Sequence, residues 1–224
     1  MADIDDLILH DLKNPLSGIT GTIGLFLDGL LGEMSEEEKK YLSLIDASAR
    51  EMAGIIHDLS AVNSMERGQL EVQKESFAAE EVLSEVDWIR QYAEREEKEL
   101  KVENPGKVIF STDKKILTRV IENLLLNAVK QAREKGIVTI RIYREKRKAC
   151  FEIIDSQDRI VPKEYFGKVF DASFRLRFSQ LRSKVSPGVG FHYCRQAIKL
   201  LGGEIEMATA GVRGYRIILA LACL

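Results

Sequence analysis

His10, Asp11 and Asn14 fall in the run His10-Asp11-Leu12-Lys13-Asn14-Pro15-Leu16, and these side chains suit phosphoryl chemistry on nitrogen. A neutral imidazole is a competent nucleophile near pH 7. A carboxylate beside it can hold the reactive tautomer and take the ring proton as the opposite nitrogen attacks. Asn14, one turn further on, can position a water or a phosphoryl oxygen, as the reverse, hydrolytic step needs. The run sits in a helical pattern. Ile4, Ile8, Leu12, Leu16, Ile19, Ile23, Phe26 and Leu30 recur every three or four residues, the spacing of one buried stripe. At about 100° per residue, His10 lies about 200° from Ile8 and Leu12 and faces water, with Asn14 on the same side. Pro15 has no N–H for the carbonyl of Asp11, so a kink is expected just after the reactive positions. A lone solvent-facing histidine is more often a plain surface residue; the length of the motif is what raises this one.

The heptapeptide resembles the H-box of two-component sensor histidine kinases, and the family's other boxes follow in order over nearly all of the 224 residues. The stretch from Asn123 to Lys130, Asn-Leu-Leu-Leu-Asn-Ala-Val-Lys, resembles the N-box. Asn123, Asn127 and Lys130 share one helix face, where two amides and an ammonium can meet a magnesium ion and triphosphate oxygens. The resemblance makes Asn127 the Mg²⁺ ligand. It makes Asp155, at a strand end, the G1-box carboxylate that accepts a hydrogen bond from the adenine amino group, with Met207 and nearby apolar strands as wall. Val169-Phe170-Asp171 resembles the F-box, and the basic stretch 175–184 would be the ATP lid. Ser186-Pro187-Gly188-Val189-Gly190-Phe191 resembles the G2 box; it keeps Gly188 and Gly190 before a helix whose N-terminus can receive phosphate.

The chain departs from the family at the base end of the site. Where the family has Asp-x-Gly-x-Gly, this chain has Asp155-Ser156-Gln157-Asp158-Arg159. Two glycines become bulky side chains, at a steric cost of about 1 kcal/mol or more where positive φ is required. Ser186 replaces another glycine, and Arg213-Gly214-Tyr215 stands where the family usually has Gly-Thr, so a small hydroxyl near the adenine becomes a large ring.

The elements that must position these residues follow from periodicity. A first helix is expected over 3–31, ended by Gly29 and Gly32. Ser35 followed by Glu38 is a capping box for a second. There Leu42, Ile45, Ala49, Met52, Ile56 and Leu59 step by three and four, a seam for partner helices. Two helices cannot enclose a core alone, so a homodimer forming a four-helix bundle is expected. His57 lacks such a motif and reads as structural or surface. Gly68 ends the pattern, giving a dimerisation and phosphotransfer hairpin over 1–67 and a catalytic, ATP-binding-like domain over 68–224. In the latter, strands are expected at 70–72, 99–102, 108–111, 138–144, 149–155, 204–208 and 216–221, those at 99–102 and 108–111 flanking the Asn104-Pro105-Gly106 turn. Helices are expected at 78–94, 113–133 and 190–201. Helices on one face of a mixed sheet is the simplest packing. The fold class is therefore α+β: a helical hairpin followed by an α/β sandwich, which resemblance makes the Bergerat (GHKL) ATP-binding fold.

The chain has 33 basic and 35 acidic residues, a balance that argues against nucleic acid or an anionic membrane as the main partner. No apolar run approaches the ~18 residues of a membrane span, and no signal peptide opens the chain. Cys150, Cys194 and Cys223 are odd in number, widely spaced and in apolar patterns, and read as reduced thiols of a cytoplasmic protein. The resemblance implies an upstream sensor segment, yet the chain starts nine residues before His10; a shortened chain and a sensorless protein both fit. Three functions remain open. One is an ATP- and Mg²⁺-dependent histidine kinase passing phosphate from His10 to a response-regulator aspartate. Another is a nucleotide-independent phosphotransferase or regulator phosphatase, and the third a non-catalytic dimeric module.

Overall fold

The computed structural model describes residues 4–103, 108–156, 162–171, 189–210 and 214–222. They form two compact units, Met1–Arg67 and Gly68–Leu224.

In the first unit, α1 (Ile4–Leu27) and α2 (Glu36–Glu66) make a hairpin. α1 ends earlier than its apolar spacing suggests, because the chain turns through Gly29 and Gly32, both at positive φ (74° and 119°), a conformation glycine adopts without a Cβ penalty. α2 starts on a complete capping box. Ser35 N–H donates to Glu38 Oε2 at 2.8 Å, and Glu38 N–H donates to Ser35 Oγ at 3.3 Å, which satisfies two otherwise orphaned donors. The expected stripe is only partly buried. Leu9, Leu16, Ala49 and Ile56 form the core cluster, with Ile23 and Val62 also buried, whereas Ile8, Leu12, Ile19, Leu30, Ile45, Met52 and Leu59 are exposed. One neighbouring helix covers one narrow line of a stripe that is wider, so half of each apolar face faces outward and Leu9 replaces Ile8 at the contact.

The second unit contains two sheets. β1 (Glu75–Ala78) pairs antiparallel with β3 (Ile109–Thr112); the second sheet has the order β2 (Glu99–Glu103), β4 (Ile137–Glu145), β5 (Lys148–Ile154), β7 (Tyr215–Ala222), β6 (Glu204–Thr209). β2 runs parallel to β4 and the other neighbours are antiparallel, so the expected mixed sheet is present. Val138, Ile140 and Ile142, Ala149, Phe151 and Ile153, and Ile217, Leu219 and Leu221 alternate onto one buried face. α5 (Lys114–Gln131) packs on β4 and β5, and α6 (Val189–Leu200) on β6 and on α5. Phe77, Phe110 and Phe151 stack in series, with centroids 5.9 and 5.1 Å apart, joining the small sheet to the large one.

Two expectations are corrected. Residues 70–72 are not a strand; Gln73 N–H donates to Asp113 Oδ2 at 2.9 Å, so a side-chain acceptor takes the place of a ladder partner. The single helix expected over 78–94 is two, α3 (Ala79–Glu85) and α4 (Trp88–Arg95). Val86 and Asp87 make tighter i→i−3 bonds, to Leu83 and Ser84, and the break leaves Val82, Val86, Ile89 and Ala93 all buried; their helical spacing hides it. β2 and β3, the strands expected on either side of residues 104–106, belong to different sheets, and Phe110 of β3 takes part in the aromatic stack; the turn at 104–106 lies outside the described residues.

On the other face of the large sheet a chain of charges crosses four strands. Glu103 Oε2 accepts from Arg141 at 2.8 Å, Arg141 donates to Glu152 Oε2 at 3.0 Å, and Arg216 donates to Glu152 Oε1 at 3.3 Å. The Glu152 side chain is 5% exposed, so its charge is compensated by two guanidinium groups. Among the described residues no helix is long and apolar enough to cross a membrane. Phe110, fully buried at the centre of the aromatic series, gives the first test: Phe110→Ala is expected to lower stability by about 3–5 kcal/mol in urea denaturation, through lost burial and the cavity left behind.

Candidate functional site

His10 lies on the outward side of α1. Its Nδ1 is 3.4 Å from Asp11 Oδ1, and the two side chains are 70% and 69% exposed. With the proton on Nδ1 and directed at the carboxylate, Nε2 keeps its lone pair and faces water; this tautomer is assigned from the contact. Asn14 and Lys13 are exposed on the same helix, and α1 remains helical through Pro15. His57 is exposed on α2, its Nδ1 3.6 Å from the buried Asp58.

In the second unit the site grows from α5. Asp113 caps it, Oδ1 accepting from Ile116 N–H at 3.0 Å while Oδ2 holds Gln73 N–H. Eight apolar side chains from Ile116 to Val129 are buried, which leaves Asn123, Asn127 and Lys130 half-buried on a flank of the helix. Asn127 Oδ1 accepts from Gln131 Nε2 at 2.7 Å. Gln131 was not singled out from sequence, although its i, i+4 spacing from Asn127 is the signal that could have found it. Gly190, in the first turn of α6, lies against Asn123: a Cβ there would stand 2.9 Å from Asn123 Oδ1. A residue with a Cβ at this position would have to push the Asn123 amide aside. Lys98 Nζ donates to the Val129 carbonyl at 2.7 Å, occupying an acceptor in the last turn of α5.

Asp155 follows β5 directly. Its N–H donates to the Tyr215 carbonyl at 2.9 Å, and its Oδ1 accepts from Tyr215 N–H at 3.0 Å, which fixes the carboxylate beside β7. Ser156 anchors the corner: its Oγ accepts from Ile137 N–H at 3.1 Å and its carbonyl accepts from Arg133 N–H at 3.1 Å. The F-box segment is tied to α6. Phe170 packs on Phe191 with centroids 5.4 Å apart, and Arg195 donates to Asp171 Oδ1 and to the Gly167 carbonyl. Met207 is half-buried on β6. The structure therefore brings Gly190 to Asn123 and Tyr215 to Asp155. His10 belongs to the other unit. Gly188, Ser186, Pro187, the residues 157–159 and 175–184, Arg213 and Cys223 lie outside the described residues.

A two-helix unit bearing an exposed histidine, followed by a mixed sheet covered by an amide-bearing helix, defines a class that the comparisons identify. The model of the histidine kinase-, DNA gyrase B- and HSP90-like ATPases matches residues 112–223, and that of the His Kinase A (phospho-acceptor) domain matches residues 7–68. The chain belongs to the two-component sensor histidine kinases. It is 29% identical to the sensor protein KdpD of Clostridium acetobutylicum over 211 residues, 92% of this chain and 23% of that one. It is 26% identical to the circadian input-output histidine kinase CikA of Synechococcus elongatus, and 29% identical to the aerobic respiration control sensor protein ArcB of Escherichia coli; each match covers 92% of this chain, and 28% and 27% of the relative. The chain thus spans about a quarter of the length of these curated relatives. The fold resembles full-length ShkA, solved in complex with AMPPNP (TM-score 0.73, 16% identity, 98% of this chain and 45% of that one). It also resembles the Acinetobacter baumannii histidine kinase AdeS (TM-score 0.62, 18% identity, 95% and 97%).

Two glycines of the site separate by what surrounds them. A Cβ at Gly214, where φ is 114°, would stand 2.1 Å from the Asp155 carbonyl oxygen, whereas at Gly190 the obstacle is a movable amide. Gly214→Ala is expected to lower stability by about 2 kcal/mol or more, from strain plus backbone collision, and Gly190→Ala by about 1 kcal/mol or less. Thermal unfolding of the two variants side by side measures the difference.

Proposed function

We propose that this chain is the catalytic core of a protein histidine kinase that phosphorylates itself on His10 from Mg²⁺·ATP and passes the group to a response-regulator aspartate. The observation that carries this reading is the exposed imidazole of His10 with Asp11 at its Nδ1 side. In the step, Nε2 attacks the γ-phosphorus in line, the bond from that phosphorus to the bridging oxygen breaks, and its electron pair leaves on ADP. The Nδ1 proton passes to Asp11 and then to water, so the product is a neutral imidazole ring carrying phosphate on Nε2. Asn14, one turn along the same helix, suits placing a water for the hydrolytic reaction of a phosphorylated regulator.

At the phosphate end the residues present fit a triphosphate and its cation. Asn127 offers a hard amide oxygen oriented by Gln131, and Mg²⁺ keeps most of its shell as water and phosphate oxygens, so one protein oxygen suffices. When bound, the cation draws negative charge from the transferring phosphoryl group. Lys130 supplies positive charge to the phosphates, the α6 N-terminus at Gly190 an anion-binding end, and Asp155 an acceptor for an exocyclic amine.

The outward apolar residues support a homodimer. Ile8, Leu12 and Ile19 on α1 and Ile45, Met52 and Leu59 on α2 are the residues a second hairpin would cover in a four-helix bundle. The buried free thiols Cys150 and Cys194 suit a reducing, cytoplasmic location.

Incubation of the chain with γ-labelled ATP and Mg²⁺ is expected to give an acid-labile, base-stable label that His10→Gln abolishes. Label acquired only from a phosphorylated receiver domain would assign the phosphotransfer reading instead, and no label from either donor would overturn both. Met52→Glu combined with Ile45→Glu is expected to shift the chain from dimer to monomer in light scattering, because burying two carboxylates in an apolar seam is prohibitive.

A further inference from the structure

Tyr215 opens β7 directly opposite Asp155. Residues Ile217, Leu219 and Leu221 alternate with it onto the helix-facing side of the sheet, and Ile153 places Asp155 on that same side. The phenol therefore enters the space between sheet and helices, with the Asp155 carboxylate close by, its Oδ1 accepting from the Tyr215 main-chain N–H. Tyr215 is 2% exposed, and Phe166 meets its ring edge-on, with centroids 5.8 Å apart and planes at 90°, a favourable aromatic geometry. Burial first, and the Asp155 charge second, push its hydroxyl up to about 12, as expected for a phenol held among apolar groups near a carboxylate. The main chain beside it is closely packed: Gly214 approaches the Asp155 carbonyl more closely than a residue with a Cβ could.

We propose that the Tyr215 ring is an internal occupant of the base end of the nucleotide site, wedged between Asp155 and Phe166, so that a nucleoside triphosphate engages Asp155 only after the ring swings out. The inference rests on the reading of Asp155 as the base-binding carboxylate. Displacing the ring exposes a buried aromatic surface, and the apparent affinity is the intrinsic affinity multiplied by the fraction of molecules with the ring already out. Binding energy then comes mainly from the phosphates held by Asn127 and Lys130, and the base adds little.

The test compares Mg²⁺·ATP with Mg²⁺·tripolyphosphate, which has no base, by calorimetric titration of the full chain. Tyr215→Thr is expected to bind ATP about tenfold or more tightly than the unaltered protein while tripolyphosphate affinity stays the same. Tyr215→Phe, which keeps the ring, is expected to match the unaltered protein with both ligands. Tyr215→Leu serves where the threonine variant melts below the assay temperature, and circular dichroism checks each fold. Equal ATP affinity in all folded variants would overturn the role of Tyr215 and leave the nucleotide site standing. Absence of binding of either ligand to every variant would overturn the nucleotide site, and this inference with it.

Discussion

One helix carries two opposed demands in this protein, and the second unit is built around reconciling them. α5 must press eight apolar side chains into the core while holding the amides of Asn123 and Asn127 on a half-buried flank. A buried face alone would let the helix slide or rotate. Asp113 prevents this from one end, its two carboxylate oxygens bound to N–H groups at Ile116 and Gln73. Lys98 acts at the other, through the carbonyl of Val129. With both ends fixed, the positions of Asn123 and Asn127 follow from the core packing beneath them. The same logic bears on Gly190: α6 is set by its own buried residues, and a Cβ there would displace the Asn123 amide.

The first unit solves a simpler problem incompletely. Two helices meet along Leu9, Leu16, Ala49 and Ile56, and much of the remaining apolar surface stays in water. Such a surface is costly in an isolated chain, at about 25 cal/mol per Å², and is consistent with assembly. His10 stands clear of the buried seam, so its chemistry and the packing do not compete for the same side chain.

What could be read from the sequence was what is local. Ser35 and Glu38 announced the start of α2 because the capping box is closed within four residues. Asp11 announced its contact with His10 because it is the next residue. Asn123, Asn127 and Lys130 were visible as one face by helical spacing. The features that were not legible depend on distant partners. Whether Ile8 or Leu9 is buried is decided by which line of α1 the other helix covers. The break at Val86 was hidden because residues on both sides of it are buried at helical spacing. β2 and β3 belong to different sheets, and Phe110 of β3 stacks with Phe77 and Phe151. The replacement of a small residue by Tyr215 was plain in the sequence, but the burial of its ring edge-on against Phe166, and the bond from its main-chain N–H to Asp155, needed coordinates.

The line of charges from Glu103 through Arg141 and Glu152 to Arg216 also bears on how the sheet assembles. Because side chains alternate along a strand, a slip of β5 by one position would carry Glu152 into the hydrocarbon layer and strand two guanidinium groups opposite aliphatic neighbours. Misaligned pairings of β4, β5 and β7 are thus penalised electrostatically, and the alignment that seats Tyr215 across from Asp155 is favoured by a feature on the opposite side of the sheet.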